Sequence, residues 1–301
     1  MKIAVLLTCF NRRDYTLSCL KSLFTAQKCY NEYGKDKLNL EVFLVDDGSK
    51  DGTSDAIRHK YDENIVHIIE GTGSLYWAGG MRLSWKTAME RHEEWDFYLL
   101  VNDDTDFSSF MFNELFSTHE FSIKQYGKEG IYSGVIASKN DYNQITYGGN
   151  IYINKFLAKT RRLRPIGVPQ MCDTTTANIL LVPVSVVDKI GIFYDGYIHG
   201  SADYDYAAQA RKHDIPALIT GKICGYCLFD HVRGESYKEK ILGMSKAERK
   251  KYRANPVTGD HDYLLFMRRT APLRYPILRL VRYVFWNFPK LYFSILGVRQ
   301  K

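Results

Sequence analysis

Apolar and polar positions fall in blocks along the first hundred residues. "KIAVLLTCF" (from Lys2) and "LEVFLVDDGS" (from Leu40) are branched, apolar runs that stop at polar turn residues, the pattern of strands covered on both faces. Between them Leu17, Leu20, Leu23 and Phe24 recur at helical spacing. "NIVHIIEG", a helix-like stretch from Met81 to Glu90, and "WDFYLLVNDD" follow. This order predicts a βαβαβαβ pattern and hence a parallel, doubly wound sheet. Later, "TTTANILLVP" predicts another buried strand, the stretch after Ser201 a helix to about His213, and "ICGYCLFDHVRGES" a strand ending in Asp230, His231 and Arg233. Ser236 to Asp262, rich in Lys, Glu, Tyr and Gly, reads as a mobile lid or linker.

In such a sheet ligands bind beyond the carboxyl ends of the strands, and the polar residues collect there. The first run ends in Thr8 with Asn11 and Arg12 behind it, the second in Asp46, Asp47, Gly48 and Ser49, the fourth in Asn102 to Thr105. After the third comes "GTGSLYWAGGMR", where Gly79 and Gly80 would let backbone approach a ligand and Arg82 could face a phosphate. No G-x-G-x-x-G follows the first run and no G-x-x-x-x-G-K-[ST] occurs, so the dinucleotide and P-loop signatures are missing. Asp103, Asp104 and Asp106 crowd behind Asn102, and a magnesium or manganese ion on the diphosphate of a leaving group would give them a positive partner. Asp106 is read as a loop acid or helix cap, and Asp103 stands open to either role. Asp203 and Asp205 open the later helix; the helix dipole alone favours them there, and a carboxylate facing an acceptor hydroxyl could also take its proton.

Charge changes the picture at the C-terminus. Of the 41 Lys and Arg, eight fall between Arg268 and Lys301, which holds no Asp or Glu, leaving 33 basic against 34 acidic residues elsewhere. The body therefore carries no general nucleic-acid surface. The last segment interleaves Arg274, Arg279, Arg282 and Lys290 with Leu, Tyr, Phe and Trp, a composition suited to lying on an anionic membrane surface rather than crossing it; a packed helical hairpin or dimer contact is the plainer alternative. The N-terminal apolar stretch runs straight into charge without a small-residue cleavage site, so a buried strand is expected instead of a signal peptide. The six cysteines read as small buried residues, with "CGYC" (Cys224, Cys227) lacking the context of a redox or zinc motif.

"LLTCFNRRDYTLSCLKSL", "FLVDDGSKDGT", "GSLYWAGGM" and "LLVNDDTDF", in that order, resemble the family 2 glycosyltransferases. The resemblance covers residues 1 to about 235. It implies the GT-A fold, a Rossmann-like α/β architecture with a mixed, mostly parallel sheet flanked by helices, here followed by a linker or lid (236–267) and a basic aromatic helical tail (268–301). It implies a nucleotide-diphosphate sugar donor, with UDP- and dTDP-linked sugars expected, and inverting, non-processive transfer to a glycan or lipid-linked glycan acceptor. The Q-x-x-R-W motif of processive synthases is absent. Carried over by position, Thr8, Asp46 and Asp47 would hold base and ribose, joined at the same crevice by Asn11, Arg12, Asn102 and Asp103. Gly79, Gly80 and Arg82 would line the diphosphate and sugar. Asp104 and His231 would bind a divalent cation (Mn2+ or Mg2+), Arg233 the diphosphate, and Asp203 would be the base. Asn102 and Ala202 stand where the family carries acids. The setting implied is the cytoplasmic face of a plasma membrane, in bacterial surface polysaccharide synthesis; a nucleotidyltransferase or an inactive sugar-nucleotide-binding scaffold are the alternatives.

Overall fold

The apolar runs become strands of one large sheet in the computed structural model, which describes residues 1–33, 36–91, 94–154, 159–228 and 235–296. In chain order the strands are β1 (Lys2–Cys9), β2 (Asn39–Asp46), β3 (Val66–Glu70), β4 (Phe97–Val101), β5 (Asp106–Phe107), β6 (Ile131–Ser138), β7 (Ile145–Tyr147), β8 (Gly149–Asn154), β9 (Lys159–Arg162), β10 (Gln170–Met171), β11 (Thr174–Thr175), β12 (Ile179–Pro183) and β13 (Ala217–Cys227). The helices are α1 (Arg13–Tyr33), α2 (Thr53–Arg58), α3 (Tyr76–Glu90), α4 (Met111–Tyr126), α5 (Val184–Ile190), α6 (Ala202–Lys212), α7 (Glu235–Gly243), α8 (Lys246–Ala254), α9 (His261–Thr270), α10 (Tyr275–Asn287) and α11 (Pro289–Leu296).

The main sheet runs β10-β13-β6-β12-β4-β1-β2-β3, with β5 on β13 and β7 on β6, and β11-β8-β9 form a small second sheet. Strands β3, β2, β1 and β4 are parallel, as the βα repeat predicts. Strand β12 runs against both β4 and β6, so the sheet is mixed. The reversal matters for the site: it brings the residues just before β12 to the same edge as the residues just after β4. Strand order also changes direction between β1 and β4, the kind of switch point at which a crevice opens.

Alternate side chains of β1 enter two cores. Ile3, Val5 and Leu7 pack with Cys19, Leu20 and Leu23 of α1, while Ala4 and Leu6 join Trp85 of α3 and Tyr206 of α6 on the opposite face. Helices on both faces explain why the strands are apolar throughout instead of alternating. At about 25 cal/mol per Å2 of apolar surface, this two-sided burial is the main stabilising term.

Within residues 235–270, which include the expected linker or lid, the chain forms α7, α8 and α9. Their sequence is polar enough to read as a loop, but α8 has a full capping box between Ser245 and Glu248. A third small core of Ile241, Phe285 and Trp286 ties α7 to α10. The basic tail is helical as expected, yet part of its charge is spent internally. Arg269 Nε lies 2.9 Å from Asp205 Oδ2 and Arg282 Nε 3.0 Å from Asp260 Oδ2. Among the described residues no helix is long and apolar enough to cross a membrane.

Candidate active site

The site is assembled from loops at the carboxyl edge of the sheet. Asn11, in a left-handed conformation (φ 51), fastens the loop after β1 to the loop after β2. Its backbone N–H donates to Ser49 Oγ and its Oδ1 accepts from the Lys50 N–H, at 2.8 and 2.7 Å. Asp46 is buried and accepts from the Ser49 N–H at 2.8 Å and from the Ser54 hydroxyl. Asp47, also buried, accepts the N–H groups of Gly73 (2.8 Å) and Tyr76 (3.0 Å), and thereby shapes the turn into α3. Both acids retain lone pairs for a ligand, and each also does structural work that the sequence reading did not foresee.

Thr8 closes β1 against α3. A Cβ on Gly80 would lie 2.3 Å from Thr8 Oγ1, so the close approach this glycine permits is of helix to strand. Gly79 is buried in the same helix beside Leu75. Arg82 is turned toward the 194–197 loop: Nη1 donates to the carbonyls of Tyr197 (2.7 Å) and Tyr194 (3.3 Å), and Nε lies 3.2 Å from Asp195 Oδ1. Its guanidinium is engaged there, where the sequence reading set it against a phosphate.

The loop after β4 holds the acidic centre. Asn102 Oδ1 accepts from Trp77 Nε1 of α3 at 2.8 Å. Arg12 Nη1 donates to Asp103 Oδ1 and Asp104 Oδ2, each at 2.9 Å. Burial pushes the Asp103 carboxyl up to about 6 although Arg12 pulls it down; neighbouring Asp104 adds to the rise. Asp106 sits apart in β5, accepting from Ser18 Oγ at 2.8 Å and facing Lys139 Nζ at 2.7 Å.

Two oxygens in this centre, Asp103 Oδ2 and Asp104 Oδ1, are buried without a hydrogen-bond partner. Such unspent carboxylate oxygens suit a hard divalent cation. Among the described residues no group of three or more His, Cys, Asp or Glu gathers to hold one; a cation here would take its remaining ligands from phosphate oxygens and water. His231, Arg233 and Asp230 lie outside the described residues.

Asp203 approaches from the other half of the chain. Its Oδ2 accepts from the Ala177 N–H at 3.2 Å and its Oδ1 from the Tyr204 N–H at 2.9 Å. The adjoining Asn178 carbonyl accepts the N–H of Asn102 at 3.3 Å, and Ile179 stands opposite Val101. Antiparallel pairing of β12 with β4 thus sets Asp203 beside the Asn102–Asp104 loop. Burial with only backbone donors for company pushes Asp203 up to about 6. Asp205 is spoken for by Gln209 (3.0 Å) and Arg269 (2.9 Å).

Three participants escaped the sequence reading. Trp77 orients Asn102. His199, edge-on to Tyr76 at 6.4 Å, has a buried Nδ1 without a hydrogen-bond partner. Asp262, inside the expected lid, accepts the N–H groups of Ile198 (3.1 Å), His199 (2.7 Å) and Gly200 (2.8 Å) and so fixes the loop that leads to Asp203. Only a signature in three dimensions marks Asp262, because its partners are some sixty residues away. The cysteines are free and, except for the half-buried Cys29, buried.

Comparison with known proteins agrees with this architecture. Residues 4–120 match the family model described as Glycosyl transferase family 2. No curated protein matches the chain in sequence. Among solved structures, TarS 1-349 of S. aureus in complex with UDP-GlcNAc superposes with a TM-score of 0.52 at 14% identity, covering 98% of this chain and 76% of that one. The mannosyltransferase PcManGT of Pyrobaculum calidifontis, in complex with GDP-Man and Mn2+, gives 0.51 at 15% identity over 92% of this chain and 68% of that one. At these identities the likeness is one of fold.

Proposed function

We propose that this chain, a family 2 glycosyltransferase by its residues 4–120 and of GT-A architecture throughout, transfers a sugar from a nucleotide-diphosphate donor to a hydroxyl of a glycan acceptor with inversion. The observation that carries the reading is the meeting, across the β4–β12 pair, of an acidic loop with unpartnered carboxylate oxygens (Asp103, Asp104) and a separate carboxylate (Asp203) that pairs with no cation among the described residues. Two carboxylates in unlike environments suit two roles. The nucleotide binds over the loops after β1 and β2, where Thr8, Asn11, Asp46 and Asp47 present polar groups, and the diphosphate lies toward Arg12 and the Asn102–Asp104 loop. Asp104 and Asp103 would hold a divalent cation through Oδ1 and Oδ2; when bound it neutralises the charge that grows on the diphosphate as the sugar–oxygen bond breaks. Asp203 takes the proton of the acceptor hydroxyl as that oxygen attacks the anomeric carbon from the face opposite the leaving group. The loop fixed by Asp262 positions this base.

An acceptor carried at an anionic membrane surface fits the tail: Leu273, Ile277 and Leu280 are exposed beside Arg279, with no acid nearby in sequence. The test is a panel of UDP-, dTDP- and GDP-sugars incubated with membrane-derived acceptors, reading nucleoside diphosphate release. Release from one donor that disappears in both Asp203→Asn and Asp104→Ala supports transfer; release unaffected by Asp203→Asn removes the base assignment.

A further inference from the structure

A cavity of about 570 Å3 opens between α8, α9 and the start of α10, away from the acidic loop. Its wall sets three cations, Lys250, Arg253 and Arg268, beside the apolar Leu264, Leu265 and Tyr275. The one carboxylate in that wall, Asp260, is already neutralised: Arg253 Nε is 3.3 Å from Oδ1, Arg282 Nε 3.0 Å from Oδ2, and Trp286 Nε1 donates to Oδ2 at 2.6 Å. Among the described residues no carboxylate pairs with Lys250 or Arg268, so the wall keeps an unmet positive charge. That charge calls for an anion, and the leucines and tyrosine call for something apolar attached to it.

Two connections give the cavity a place in the molecule. Ile198 lines it, and that residue's carbonyl accepts from the Ala78 N–H of α3 at 3.2 Å while its N–H donates to Asp262. One short stretch of backbone therefore joins the cavity to Asp203 and to the first turn of α3. Outward, Tyr275 opens α10, where Ile277 and Leu280, three residues apart and so on one side of the helix, are 65% and 64% exposed, and Leu273 just before the helix is 92% exposed.

We infer that this cavity binds the diphosphate of an acceptor carried on an apolar chain, Lys250 and Arg268 taking the phosphate oxygens and the exposed side of α10 receiving the chain; the word acceptor rests on the glycosyltransferase reading, the binding site does not. The full chain is titrated calorimetrically, without metal, with geranyl diphosphate and with inorganic pyrophosphate, and separately with UDP plus Mn2+. Geranyl diphosphate should bind more tightly than pyrophosphate. The Lys250→Gln/Arg268→Gln variant, altered only at exposed side chains, should weaken it about tenfold or more through lost charge-assisted bonds and leave UDP unaffected, while Asp104→Ala should leave geranyl diphosphate unaffected. Loss in Asp104→Ala instead would put the diphosphate in the donor site and overturn the inference. Equal binding of pyrophosphate would overturn it too, as would a double variant that loses only phosphatidylglycerol vesicles and keeps geranyl diphosphate. Geranyl diphosphate binding with no UDP binding would leave the site standing and remove the donor reading alone.

Discussion

The guanidinium of Arg12 stands 2.9 Å from the carboxylate of Asp104, and the same Nη1 lies 2.9 Å from Asp103. A residue from the loop after β1 thereby supplies the counter-charge for two acids after β4. Without it, a buried and a half-buried carboxylate would face each other with nothing between them.

Arg12→Ala should therefore destabilise the protein by roughly 1–2 kcal/mol, the partial exposure of Arg12 keeping the cost below that of breaking a fully buried pair. The same variant should gain more from Mn2+ than the parent does, because a cation then meets two unshielded carboxylates. Thermal melts in EDTA and in Mn2+ measure both; an Arg12→Ala protein that melts like the parent in both buffers would show that Arg12 is not the counter-ion.

As the proposed base, Asp203 must be ionised to accept a proton, and burial raises it to about 6. Rate should therefore fall as pH drops through about 6. The stability sign is opposite: because the folded state holds this proton more tightly than the unfolded chain, its favourable contribution is complete below the ordinary value of 3.8 and is lost as pH rises through about 6. Asp203→Asn should lose about 10²- to 10⁴-fold in turnover yet match or exceed the parent's melting temperature at pH 8, an advantage that vanishes toward pH 4. A variant both inactive and much less stable at pH 8 would point to a structural role.

Gly80→Ala would place a methyl 2.3 Å from Thr8 Oγ1 and 2.9 Å from Thr8 Cβ. Helix α3 must shift, at about 1–3 kcal/mol as for other overpacked sites. Thr8→Ala in the same chain should recover part of the loss, a coupling that urea denaturation of the two single variants and the double variant reads directly. Strict additivity would mean the two residues do not meet.

Asp262→Ala leaves three backbone N–H groups without their acceptor, at about 2–3 kcal/mol. Burial by itself would raise this carboxyl, but the His199, Gly200 and Ile198 N–H groups and His261 hold it below the ordinary range. Its contribution is thus present above the ordinary carboxylate value and is lost as pH falls through the lowered one. Hydrogen exchange at residues 198–200 should speed up in the variant while exchange in β1 and β4 is unchanged; protection unchanged at Ile198 would remove Asp262 as the anchor.

The strands were legible because each is buried on both faces and so is written as one apolar block. Thr8, Asp46 and Asn102 were legible as a group because parallel strands must bring their carboxyl ends to one edge. Partners were not. That Arg12 turns to Asp104, that Arg82 turns away to Tyr197, and that Trp77 holds Asn102 are matters of tertiary geometry between elements distant in sequence. The helices of residues 235–270 were missed for a different reason: their burial is confined to a few positions such as Asp260, Asp262 and Phe266, so no apolar period stands out. Asp262, a charged residue in a polar stretch, carries no local sign of the three N–H groups it receives.

In the proposed function the loop Asn102–Asp104 holds the diphosphate of the nucleotide with the help of a cation. Calorimetric titration of UDP, dTDP and GDP into the protein, each with and without Mn2+ and repeated on Asp104→Ala, tests it most directly. One nucleotide should bind, Mn2+ should strengthen its binding, and Asp104→Ala should abolish the Mn2+ effect. Binding of none of the three in either condition would contradict it.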